Sequence, residues 1–246
     1  MNQKHYVGEK NTNNFGSEMI ISKYVNSKDI DVFFPTYNWT AKNVYCSNFV
    51  RGKIKCPYEP RLCNIGYIGE GKYSIHHSSY KTWLYMIRRC YDKSSSHYNP
   101  TYNDCTVCNE WHNFQNFAEW YEENYYEIPG EKMNLDKDIL IKGNKIYSPD
   151  TCCFVPSLIN NAISKTNSKR GSCPAGVRCR YNKYISSIKI KDKTIQIGTF
   201  DNVEDAFNAY KNYKENHIKS IADYYKDKIP DHLYIALYNY EIDIND

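Results

Sequence analysis

The chain has 246 residues, of which 41% are hydrophobic and 24% charged, with a formal net charge of +4. Such proportions exclude a disordered tail, and the length allows two or three small domains. No window approaches 18 consecutive apolar residues, which argues against a membrane-spanning helix.

The N-terminal stretch MNQKHYVGEK is polar and carries no apolar core of a secretion signal. The expectation is a soluble, unexported chain in the cytoplasm of its cell, with no membrane partner. Its ten cysteines then read as reduced thiols. Cys105-Thr-Val-Cys108 is the one C-x-x-C, and no second pair follows at zinc-finger spacing. Cys90, Cys152, Cys153, Cys173 and Cys179 are candidates to complete a structural zinc site in space; buried thiols are the other reading.

Residues 1–16 read as a loose polar lead-in. From 17 to 70 the chain reads as a small β module. EMIISKYV and DIDVFF are β-branched or aromatic runs separated by the turn cluster NSKD, and YCSNFVRGKIKCP continues the pattern. Ile30, Val32 and Phe34 alternate, so one face of that strand points inward. GYIGEGKYS, with three glycines, reads as a linker.

Two amphipathic helices are predicted next. In SSYKTWLYMIRRCYDK the stripe is Tyr80, Trp83, Leu84, Ile87, Cys90 and Tyr91, with Ser78 or Ser79 as cap. In NEWHNFQNFAEWYEENY it is Trp111, Phe114, Phe117, Ala118 and Tyr121. Core packing explains both stripes. A polar loop, DKSSSHYNPTYND, joins them. Five glutamates and no base lie between Glu119 and Glu131.

The segment MNLDKDILIKGNKIYSPDTCCFVPSLINN, residues 133–161, resembles the HNH nuclease motif of phage homing endonucleases. Residues 80–120 resemble the segment that precedes this hairpin in many phage proteins. The resemblance implies a β-hairpin and helix folded around one Mg²⁺ or Mn²⁺ ion. It gives Asp136 the role of metal-binding carboxylate, Asn144 that of hairpin brace, and Asn160 or Asn161 that of helix-borne metal ligand.

Lys137 stands where the family has the histidine that activates water. Half-neutralising a lysine at pH 7 requires lowering its pKa from about 10.4, at a cost of roughly 4–5 kcal/mol. Asp136 and Asp138 oppose that change. The residues therefore predict a salt-bridged Lys137 and lost or reduced cleavage. An active centre would need a replacement base, for which His76, His77, His97 and His112 are the candidates.

Between Lys165 and Phe200 there are nine Lys or Arg and one acid, Asp192. A basic module on a near-neutral chain points to a polyanion bound at one place. Strands are predicted at GVRCR, YISSIKI and KTIQIGTF, with KDK as the turn between the last two. A helix from Val203 to His217 follows, with Asn202 as its cap. Val203, Ala206, Phe207, Tyr210 and Tyr213 should cover one sheet face. Ser186, Ile188 and Ile190 share that inner face, and Ile195 and Ile197 point inward too. Arg178, Arg180, Ser187, Lys189, Lys191, Thr194 and Gln196 should lie on the other, where arginine reaches base edges and lysine neutralises phosphates. A final short helix, capped by Asp231, is expected in IPDHLYIALYNYEID.

Residues 174–216 also resemble the Apetala-two/ethylene-response-factor (ERF) domain. The shared positions are Gly176-Val177-Arg178-x-Arg180, Lys183-Tyr184, Ile188-Lys189, Ile197-Gly198-Thr199-Phe200 and the E-D-A-F-x-A-Y run at 204–210. The resemblance implies double-stranded DNA recognition through the sheet. Tyr184 takes the place of a family tryptophan and Ser187 that of an acid, and the resemblance places both among the DNA-contacting residues of the outer face.

The fold class expected is therefore α+β in three parts. These are a small β module (1–70), helices with an HNH-like ββα region (71–165), and an ERF-like three-stranded antiparallel sheet with helices (170–246). The function expected is that of a phage or mobile-element DNA-binding protein of homing-endonuclease ancestry. Two alternatives stand beside it: an active metal-dependent HNH nuclease or nickase, and a phage anti-defence inhibitor that binds a host protein.

Overall fold

Alternation in DIDVFF sets the first sheet: Ile30, Val32 and Phe34 are fully buried while the residues between them stay half-exposed. The computed structural model describes residues 6–94, 100–164, 173–191 and 193–244. The fold is α+β. The strands β1 (Lys10–Thr12), β2 (Glu18–Asn26), β3 (Asp29–Phe34) and β4 (Trp39–Val44) pair in chain order as an antiparallel sheet. Then come α1 (Cys46–Val50), α2 (Ser79–Tyr91), β5 (Thr106–Val107) and α3 (Phe114–Asn124). Next are β6 (Met133–Asp136), β7 (Ile146–Tyr147), β8 (Cys153–Pro156) and α4 (Ser157–Ile163). The chain continues with β9 (Val177–Arg180), β10 (Lys183–Ile190), β11 (Lys193–Phe200), α5 (Val203–Tyr225) and α6 (Asp231–Tyr238).

The chain divides into two compact units, 1–123 with 146–148, and 124–145 with 149–246. The boundary expected near 70 falls inside the first unit. The boundary expected between 165 and 170 lies outside the described residues, as do His97 and Asp192.

In the first unit three expectations change. The lead-in contains β1, whose Lys10–Thr12 pairs with Glu18–Ile20 of β2. The stretch read as a continuing strand instead forms α1, because Cys46 and Phe49 turn into the sheet's core and Asn11 Nδ2 bonds the Phe49 carbonyl at 2.7 Å. GYIGEGKYS is held in place: Gln115 donates to the Ile68 and Tyr73 carbonyls and accepts from the Tyr73 amide.

The α2 stripe packs on α3, with Trp83 and Phe114 rings 5.3 Å apart and Trp83 Nε1 donating to the Trp111 carbonyl. Trp111 lies on a 3₁₀ turn before α3 rather than on the helix. Ser78 stands at the start of α2 without a side-chain cap bond, and Ser79 bonds His77 instead.

The second unit has one core. It runs from Ile139, Val155 and Ile159 through Val177 and Ile188 to Phe207, Ile218, Leu233 and Leu237. Asn202 Oδ1 accepts from the Asp205 amide at 2.8 Å and so caps α5 as expected. The helix runs past His217 to Tyr225 because Ile218, Ile221, Ala222 and Tyr225 prolong the buried stripe. Tyr213 leaves that stripe, and the aliphatic stem of Lys214 takes its place. Pro230, not Asp231, precedes α6, and no side chain caps it.

Gly176, immediately before β9, has φ +73, and a Cβ there would collide with the Tyr210 ring. Gly176→Ala is expected to destabilise the second unit by about 3 kcal/mol or more, from backbone strain and overpacking together. Urea melts of the two proteins measure it.

Candidate nucleic-acid interface

The sheet β11-β10-β9 is antiparallel throughout. Tyr181 and Asn182, with φ of 51° and 57°, form the two-residue turn between β9 and β10. Residues opposite one another across an antiparallel pair share a face. Arg180 lies opposite Lys183, and Arg178 opposite Ile185. Ile185 in turn lies opposite Thr199, Ser187 opposite Gln196 and Lys189 opposite Thr194. A bulge at Ser186/Ser187 absorbs the extra residue Ile197, so Gln196 and Thr194 keep the same face as Lys189.

Arg178, Arg180, Lys189, Thr194 and Gln196 are exposed, and Ser187 is half-buried. The opposite face carries Val177, Ser186 and Ile188, sealed by Ala206, Phe207 and Tyr210 of α5.

Two expected members do not join the outer face. Tyr184 lies opposite Cys179 and Phe200 and packs on the core under α5, because it shares its side with Ser186 and Ile188. Lys191 has left the strand for a turn, with φ 53°. Ile195 lies opposite Ile188 on the inner side yet remains 36% exposed.

Three residues that the sequence reading passed over belong to the surface. Lys183 is on the outer face, paired with Asp201. Thr199 shares that face, as strand alternation alone would have indicated. Tyr181, 86% exposed at the turn, has the Arg180 guanidinium 5.0 Å from its ring centre.

The ββα region lies in the same unit. β6 and β8 pair antiparallel with Asp136 opposite Cys153, and α4 packs against both. β7 does not join them; it runs parallel to β5 in the first unit. Asp136 Oδ1 accepts from the amides of Asp138 and Ile139 at 2.8 and 2.9 Å. Burial first, and then the charge of Asp138, push the Asp136 carboxyl up to about 6, against the opposing pull of those two amides. Lys137 is buried with its ammonium 3.4 Å from an Asp138 oxygen. Asn144 Nδ2 donates to the Lys137 carbonyl at 2.7 Å and braces the loop. Asn160 lies within α4, its carbonyl accepting from Ser164.

These residues do not fit a divalent cation. One Asp136 oxygen is committed to two amides, and a positive charge already lies against Asp138. A cation bound at Asp138 would meet the repulsion of that ammonium. Among the described residues no three His, Cys, Asp or Glu side chains gather as metal ligands. The ten cysteines are all free thiols. Of the histidines considered as replacement bases, His77 bonds Ser79 and faces Glu122, and His112 bonds the Val107 carbonyl, both within the first unit. Burial lowers the pKa of His112.

No protein-family model, curated protein or solved structure matches the chain significantly. Among the described residues no helix is long and apolar enough to cross a membrane.

Proposed function

We propose that the chain is a double-stranded DNA-binding protein that holds duplex through the outer face of β9–β11, and that it descends from an HNH homing endonuclease of phage or mobile-element origin whose cleavage is lost or reduced. The observation that carries the reading is the shared exposure of Arg178, Arg180 and Lys189 with Thr194 and Gln196 on one sheet face, around the half-buried Ser187. Arg178 and Arg180 on the β9 edge and Lys189 on the central strand offer cations to phosphates and base edges, and Ser187, Thr194 and Gln196 beside them add polar groups that suit base edges. Lys137 supports loss of cleavage, since an ammonium held by Asp138 is no proton acceptor.

The protein-inhibitor reading has less support. Glu122 of the acidic stretch is engaged by Lys72 and Tyr73, and Glu131 by Tyr225.

Selection from a random duplex pool, run with and without Mn²⁺, tests the proposal. Enriched, uncut sequences are expected in both arms. Failure to enrich any duplex would defeat the binding reading, and metal-dependent nicking abolished by Asp136→Ala would defeat the loss of cleavage.

A further inference from the structure

Tyr181 is 86% exposed, yet it sits in the tight turn between β9 and β10 with φ 51°, and Asn182 follows with φ 57°. A two-residue hairpin turn with both φ values positive favours Asn, Asp and Gly, which tolerate the left-handed region. Asn182 meets that requirement and tyrosine does not. A bulky residue in this region is strained, and a ring left in solvent recovers little by burial. The Arg180 guanidinium, 5.0 Å from the ring centre, offsets only part of that strain at so exposed a site. Neither packing nor turn chemistry therefore accounts for an aromatic side chain at this position. The turn closes the β9–β10 end of the outer face, where Arg180 lies opposite Lys183. Arg180 belongs to that face and ties the ring to it.

We propose that Tyr181 stacks on an unpaired nucleobase of bound DNA, so that the chain prefers duplex interrupted by an extrahelical nucleotide. The inference rests on the duplex-binding reading and adds to it a residue that senses broken pairing. An aromatic side chain stacks on any base, because every base has a π-face, and an arginine against the ring adds a cation–π contact. In continuous duplex the faces of each interior base are covered by its neighbours. A bulged or turned-out nucleotide uncovers them. Tyr184, the other aromatic residue of the β9–β10 hairpin, packs on the core under α5 and is not available for this role.

The test is the affinity of the full chain for a paired duplex and for the same duplex with a single-nucleotide bulge, read by fluorescence anisotropy. Three proteins are compared: the parent, Tyr181→Asn and Tyr181→Phe. The parent is expected to bind the bulged duplex about tenfold more tightly than the paired one. Tyr181→Asn should abolish that preference and leave paired-duplex affinity unchanged. Asparagine suits the turn, so this variant is expected to melt no lower than the parent, which separates loss of stacking from loss of fold. Tyr181→Phe should keep the preference, since stacking needs the ring and not the hydroxyl. Equal affinity of the parent for the two duplexes, or a preference that survives in Tyr181→Asn, overturns the proposal and leaves paired-duplex binding standing. A preference lost in Tyr181→Phe as well would reveal a hydroxyl contact in place of stacking and overturns it too. A parent that binds neither DNA removes the duplex reading, and this inference with it.

Discussion

Replacing Arg178, Arg180 and Lys189 together by alanine is expected to weaken duplex binding about 100- to 1000-fold at low salt while leaving the fold intact. All three side chains are exposed, on one face, and none belongs to the sealed inner side. Truncating exposed charges of this kind usually changes stability by less than about 0.5 kcal/mol. Each contact to phosphate or base contributes on the order of 1 kcal/mol or more, and loss of three phosphate contacts flattens the salt dependence by roughly 2.7 in log–log slope. Lys183→Ala should do less, because its charge is already answered by Asp201. Tyr184→Phe should leave affinity unchanged, since that ring lies under α5. Filter binding or fluorescence anisotropy measures all of these. A triple variant that binds like the parent would remove the sheet face from the account.

Asp136→Asn is expected to stabilise the protein at neutral pH. The carboxyl is raised from 3.8 to about 6 by burial and by Asp138, so the native state holds this proton more tightly than the unfolded chain. The group's stabilising contribution is complete below about pH 4 and is lost as pH rises through 6. By pH 7 the loss amounts to about 3 kcal/mol. Asparagine keeps an oxygen for the Asp138 and Ile139 amides and cannot ionise. Urea melts should therefore show the variant about 2–3 kcal/mol more stable at pH 7, with the gap closing by pH 4. Millimolar Mn²⁺ should leave the parent's melting unchanged, because the Lys137 ammonium opposes a second cation. A gap independent of pH, or marked stabilisation of the parent by Mn²⁺, would show that this centre is built differently.

The three-stranded sheet and α5 were legible because strand alternation and a capping asparagine are local signals. Register was the limit. Strict alternation put Lys191 on the outer face, but the chain turns there. The family position assigns Tyr184 to the outer face, although its own strand places it beside Ser186 and Ile188. A five-residue helix such as α1 is too short for helical periodicity to separate from an apolar strand, so YCSNFV read as β. Pairing of β5 with β7 joins two-residue strands about 40 residues apart, and nothing in either segment announces it. At the carboxylate centre Asn144 bonds the Lys137 carbonyl, and Lys137 forms an ion pair. The partner in that pair, Asp138, is the adjacent residue.

The most direct test of duplex binding through the sheet is the salt dependence of the parent protein's affinity. With three cations on phosphates, affinity should fall about 40-fold between 50 and 200 mM salt, a log–log slope near −2.7. No measurable duplex binding at 50 mM, or binding indifferent to salt, would contradict it.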